Sequence, residues 1–316
     1  MRICLCVLTI ISCTNLSAAS RFCPHCCASS AAGTVSSNVI ILTIPAKSSL
    51  LKIAQILQNN GIIKNRLNFI SRAVFTGEYL NLKAGEYALS RNANVSDVVR
   101  VLARGEVIVH KVTIPEGVTV SRIGEILQAN PCLSGTISTF PAEGHALPGT
   151  YYFSKGTLRQ NVLNQLSERM NQSLARITSR MLSSEEVLIL ASIVEKEAKI
   201  SEEKQEIAGV FLARLQCKMR LQADPTVAYA VFGGVVSYPR PLTRQDCKNP
   251  SLYNTYVHRG LPPTAICCPG IDTLQKVAAA TPSKYMYFVA NDAGGHVFTE
   301  TLAEHKRAVR LRKRNN

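Results

Sequence analysis

The pattern I-x-x-I-L-Q-x-N occurs at Ile53–Asn60 and again at Ile123–Asn130, seventy residues later. Both copies are approached in the same way. Asn38–Pro45 reads as a strand stopped by proline, Ser48-Ser49 as a helix cap, and Leu50, Ile53, Ala54, Ile56 and Leu57 fall at helical spacing. In the second copy Val112–Pro115 is the strand, Thr119 the cap, and Val120, Ile123, Ile126 and Leu127 the apolar face. Leu82–Leu89 adds a turn and strand between them. A βα unit used twice constrains residues 38–155 to a mixed α/β region. Glu143–Phe153 reads as a loop leading into a strand. An amphipathic helix from Leu158 to Leu174 then marks a connecting segment over residues 156–182. From Ser183 to the end, residues 183–316, the reading is mainly helical, so the fold class is α+β. A chain of 316 residues with 46% hydrophobic content has material for roughly two packed domains.

The helix that follows Ser183 carries an anomaly. In V-L-I-L-A-S-I-V-E-K-E, Val187–Glu197, a pitch of about 100° per residue puts Leu190, Ile193, Val194 and Glu197 on one stripe. Glu197 is the charged member of that apolar face, whereas Glu195 lies about 160° away around the axis. Burial disfavours an ionised carboxylate and raises its pKa. A carboxyl still protonated near neutral pH can donate to the leaving oxygen of a glycosidic bond. The competing reading is a helix end at which Glu197 reaches solvent or pairs with an arginine. A second helix, Glu202–Leu215, places Ile207, Val210, Phe211 and Leu215 on its apolar side.

Lys and Arg number 36 against 21 Asp and Glu, a net charge of +15 that suits an anionic partner. The basic residues are scattered except in the tail, Lys306 to Arg314, which argues against nucleic acid. At the other end Arg2 precedes eighteen uncharged residues, Ile3–Ser20. Three readings compete for residues 1–21: a single-pass inner-membrane anchor, a cleaved signal ending near Ala19, and a lipoprotein signal using Cys13. The anchor is favoured, with the small polar residues 22–37 as a linker, and each reading sends the remainder out of the cytoplasm. Eleven cysteines occur. Cys23-Pro-His-Cys26-Cys27 has no second ligand pair at finger spacing, so neither a metal nor another cofactor is expected. Cys132, Cys217, Cys247, Cys267 and Cys268 leave connectivity open.

Loops downstream bring amide, hydroxyl and aromatic groups together: M-R-L-Q-A-D-P-T at Met219–Thr226, Y-N-T-Y at Tyr253–Tyr256, G-L-P-P at Gly260–Pro263 and G-G-H-V-F at Gly294–Phe298. With I-V-E-K-E at Ile193–Glu197, these motifs in this order resemble the endolytic murein transglycosylases of the MltG (YceG-like) family, from about residue 38 to 310. The repeated half is similar to LysM-like modules, which hold N-acetylglucosamine polymers in many relatives, and the half from Ser183 is expected to be lysozyme-like. The resemblance implies that Glu197, the second glutamate of E-K-E, is catalytic. Gln222, Asp224, Thr226, Tyr253, Asn254 and Tyr256 are the substrate-binding candidates. Ala198, Ala213 and Ala223 stand where the family usually has Thr, Asn and Thr. By this resemblance the chain cuts the MurNAc-GlcNAc β-1,4 bond within nascent peptidoglycan strands, leaves 1,6-anhydro ends, and works at the inner membrane beside peptidoglycan synthases. The alternatives are a muramidase with water as acceptor and a non-catalytic peptidoglycan-binding envelope protein.

Overall fold

The computed structural model describes residues 38–198, 200–234, 239–291 and 294–315. The proposed N-terminal segment 1–21, the linker 22–37 and the Cys23–Cys27 cluster lie outside the described residues.

The first copy of the repeat runs β1 (Val39–Ile44), α1 (Leu50–Asn59), α2 (Arg66–Phe75), a 3-10 turn at Glu78–Leu80, β2 (Gly85–Ser90) and α3 (Val95–Arg104). The second runs β3 (Val109–Ile114), α4 (Val120–Ala129), β4 (Gly149–Ser154) and α5 (Arg159–Arg176). β1 pairs antiparallel with β2, Val39 opposite Ser90, and β3 pairs with β4 in the same sense, Val109 opposite Ser154. β1 and β3 bury the same positions, Leu42 and Ile44 in one, Val112 and Ile114 in the other. Each following helix is capped as its sequence predicts: the Lys52 N–H donates to Ser49 Oγ at 3.3 Å, and the Arg122 N–H to Thr119 Oγ1 at 3.4 Å.

The remaining elements are α6 (Ser184–Glu197), a 3-10 turn at Ser201–Glu203, α7 (Lys204–Gln216), α8 (Asp224–Phe232), a 3-10 turn at Asp246–Lys248, α9 (Ile271–Ala279), β5 (Tyr287–Ala290), β6 (His296–Thr299) and α10 (Leu302–Asn315). This half is mainly helical, with one antiparallel hairpin, β5–β6. Asp224 and Pro225 open α8 rather than making a turn, because a proline in the first helical turn gives up an N–H that needs no partner there. The described chain is therefore α+β. Three cores follow its order: one around Phe69 and Tyr87, one around Ile123 and Leu163, and one around α6.

The joints between these cores differ. Glu86 on β2 accepts from Lys155 Nζ at 2.6 Å and lies 2.8 Å from His110 Nε2 on β3. The second core reaches the third by backbone pairing: the Gly117 N–H donates to the Cys268 carbonyl at 2.9 Å, and the Cys268 N–H to Val118 at 2.8 Å. Thr119 Oγ1 donates to the Gly234 carbonyl at 3.1 Å.

The expected single-pass inner-membrane placement is corrected: no helix among the described residues is long and apolar enough to cross a membrane. α5 has 18 residues but carries Arg159, Glu168, Arg169 and Arg176. α6 is apolar, yet its 14 residues span only about 21 Å against about 30 Å of hydrocarbon.

Burial alone would raise the Glu86 carboxyl, but the hydrogen bonds from Lys155 and His110 outweigh it and hold its pKa below the usual value. A depressed carboxylate stabilises the fold above its unfolded pKa, and that contribution is lost as pH falls through the folded value. Wild-type stability should therefore fall with acidification more steeply than that of Glu86→Gln, a variant about 1–3 kcal/mol weaker at pH 7. Urea unfolding of both at pH 7 and pH 3 checks this.

Candidate active site

α6 begins with a reciprocal cap. Ser183 Oγ accepts the Glu186 N–H at 3.3 Å, and Glu186 Oε2 accepts the Ser183 N–H at 2.8 Å. The eight residues Val187–Val194 are then all buried, and the helix emerges at Glu195, Lys196 and Glu197. The two carboxylates at this exit have different surroundings. Glu195 Oε1 lies 3.1 Å from Lys204 Nζ, with both side chains 8% exposed. Its Oε2 accepts the Gly270 N–H at 3.0 Å and the Thr273 hydroxyl. Glu197 is half-buried, on the stripe shared with Leu190, Ile193 and Val194.

Glu197 lies within electrostatic reach of two groups on other elements, Arg214 and Tyr256. Arg214 is 7% exposed. Its Nε donates to the Met286 carbonyl at 2.8 Å, its Nη1 donates to Leu221, and its guanidinium sits 5.5 Å over the Tyr287 ring. Burial pushes the Arg214 pKa down, and Tyr287, Tyr256 and Glu197 oppose that shift. Sequence periodicity already contained this signal. Ile207, Val210, Phe211 and Arg214 have the same spacing as Leu190, Ile193, Val194 and Glu197, so both helices place a charge on an apolar stripe.

The two loop motifs come together. The Gln222 N–H donates to the Thr255 carbonyl at 3.2 Å, and the Ala223 N–H donates to Thr255 Oγ1 at 3.0 Å. Thr226 Oγ1 donates to the Ala223 carbonyl at 2.7 Å and lies 2.8 Å from Thr255 Oγ1. Gln222 adopts φ +53°, left-handed backbone that few non-glycine residues take, and its side chain is exposed. Tyr256 donates its hydroxyl to Asp224 Oδ1 at 2.7 Å. Burial raises the Asp224 carboxyl while the Tyr256 hydrogen bond opposes it. The Tyr256 hydroxyl is driven far above its ordinary pKa by burial and Asp224, with a smaller push from Glu197.

Two substrate-binding candidates lie inside the fold. Asn254 is fully buried: its amide donates to the carbonyls of Cys247 at 3.1 Å and Asn249 at 2.7 Å, and its oxygen accepts the Tyr256 N–H at 2.9 Å. Thr226 is also fully buried, its hydroxyl held by Ala223 and Thr255. Both spend their polar groups on the surrounding chain, Asn254 in its loop and Thr226 at the start of α8. Gln222, Asp224, Tyr253 and Tyr256 keep some exposure. Tyr253 lies 2.8 Å from Thr264 through its hydroxyl, and its ring stands 4.9 Å from that of Tyr229. Tyr229 and Thr255 join the site without having stood out singly in the sequence; Thr255 could have been read from its place inside Y-N-T-Y.

Among the described residues no cluster of His, Cys, Asp and Glu is placed to hold a metal. Cys267 and Cys268 are unpaired buried thiols; burial pushes Cys267 well up and Cys268 to about 12, so both stay protonated.

The chain is 27% identical over 309 residues to an endolytic murein transglycosylase of Bacillus subtilis, covering 86% of this chain and 84% of that protein. It is 27% identical over 323 residues to a protein of the same name from Streptococcus pneumoniae, covering 87% of this chain and 58% of that one. A crystal structure of a yceG-like protein from Listeria monocytogenes superposes with a TM-score of 0.53 at 29% identity, over 86% of this chain and 99% of that one. The model of the YceG-like family matches residues 42–311, and the chain belongs to that family.

Proposed function

We propose that this chain is an endolytic murein transglycosylase in which Glu197 supplies first the acid and then the base. The observation that carries this reading is the division of labour at the exit of α6. Glu195 is consumed by Lys204, Thr273 and Gly270, while Glu197 stands half-buried within electrostatic reach of Arg214 and of Tyr256, the partner of Asp224. The names of the Bacillus and Streptococcus relatives support the substrate, peptidoglycan.

In the proposed reaction Glu197 gives its proton to the bridging oxygen of a MurNAc-GlcNAc bond as the bond from MurNAc C1 to that oxygen breaks. The C6 hydroxyl of the same MurNAc then bonds to C1 and returns its proton to the Glu197 carboxylate. The acceptor is intramolecular, so proximity replaces a positioned water and no second carboxylate is required. Asp224, paired with Tyr256, is taken up in holding the loop. The exposed side chain of Gln222 and the Tyr253–Tyr229 ring pair are the proposed sugar contacts. Residues 183–316 serve as a lysozyme-like catalytic domain, 156–182 as the connector, and 38–155 as a LysM-like region along which the strand lies. Peptidoglycan synthases that make nascent strands are the proposed partners.

Glu197→Gln should lower turnover by about 10²–10⁴-fold on un-crosslinked glycan strands, with the folded spectrum retained. Mass spectrometry of the wild-type products should show anhydro ends; reducing MurNAc ends, heavier by one water, would indicate a muramidase. Tyr256→Phe removes the O–H that lowers the Asp224 pKa. That carboxyl should titrate still higher, and stability should drop by about 1–3 kcal/mol in thermal unfolding.

A further inference from the structure

The carboxylate that the proposed reaction leaves unused is bound by three groups, Lys204, Gly270 and Thr273. Glu195 is two residues before Glu197 and projects to the other side of α6. Its partner Lys204 is the first residue of α7 and also donates to Thr273 Oγ1 on α9 at 2.6 Å. Through Glu195, Lys204, Thr273 and Gly270, the final turn of α6 is tied to the starts of both α7 and α9. The neighbouring Lys196 donates to the Gly117 carbonyl at 3.4 Å. A side chain at Gly270 would meet the Glu116 carboxylate, which therefore reaches the same corner from the loop before α4.

Resting on the reading of Glu197 as the acid, we infer that the Glu195–Lys204 ion pair is a positioning device with an electrostatic duty. It holds the last turn of α6 at a fixed rotation, and by cancelling the Glu195 charge it keeps that carboxylate from biasing the proton on Glu197. A buried pair replaced by well-packed apolar groups is often neutral or better for stability. Stability alone therefore does not account for an ion pair at this position.

The charged groups around this turn are Glu116 from the loop before α4, Lys196 on α6, Lys204 on α7 and Asp272 on α9, with Arg214 and Tyr256 facing Glu197. Removing Glu195 leaves Lys204 as an uncancelled cation, which favours ionised Glu197. Removing Lys204 leaves either an anion or a protonated Glu195, neither of which does so.

The test is the pH profile of turnover on un-crosslinked glycan strands for wild type, Glu195→Gln, Lys204→Met and the double variant. For Glu195→Gln the alkaline limb should move to lower pH, by about half a unit for a screened interaction between unit charges. For Lys204→Met it should stay or move up. The double variant should return to the wild-type position. Turnover should fall about tenfold or more in each single variant with KM within roughly twofold, since substrate contacts are untouched. Charge-keeping Glu195→Asp and Lys204→Arg should leave the limb in place, and they serve if Lys204→Met does not fold.

Coincident limbs in every folded variant, with only a uniform loss of rate, would overturn the inference. Glu197→Gln separates the two failures. If it is inactive while the limbs coincide, the positioning role alone falls; if it is fully active, the acid itself falls and the inference with it.

Discussion

Val187–Val194 are buried on every side, and that continuous burial sets the rest of the catalytic half. A helix that is apolar all round must run through the middle of a core, so its polar residues are confined to its ends. α6 starts in a reciprocal cap and finishes in two glutamates and a lysine. α7, α8 and α9 pack around it, and Lys204, Gly270 and Thr273 reach the end where the carboxylates emerge. At its C-terminal end Glu197 leaves that core within electrostatic reach of Arg214 and Tyr256.

Much of this was legible in one dimension. Ser49 and Thr119 each cap the helix that their position announced. The repeated strand and helix at Asn38–Asn60 and Val112–Asn130 fold alike, down to the buried positions of β1 and β3. Periodicity separated Glu197 from Glu195 by direction, but the side it assigned to Glu195 is no less buried: that carboxylate is 8% exposed and locked into an ion pair with Lys204, because α7 and α9 cover it. α2 was not foreseen, because its stripe is short and interrupted by Asn68, Ser71 and Arg72.

What the motifs could not reveal was which polar residues look inward. Asn254 and Thr226 belong to the strings that mark the site, yet both spend their hydrogen bonds on the backbone and on Thr255. Loop polarity alone does not distinguish a group that grips a sugar from one that grips its own chain, since either satisfies a polar atom. Arg214 escaped for the opposite reason. It sits in a helix read for its apolar members, and the logic applied to Glu197 would have selected it.

The first repeat unit has a core of its own, and it meets the second through Glu86, His110 and Lys155 rather than through shared oily residues. Parting such a contact hydrates ions that water solvates well and uncovers little hydrocarbon, so it costs far less than splitting a core. Acid, which protonates Glu86 and leaves oily contacts untouched, therefore loosens this joint before either core.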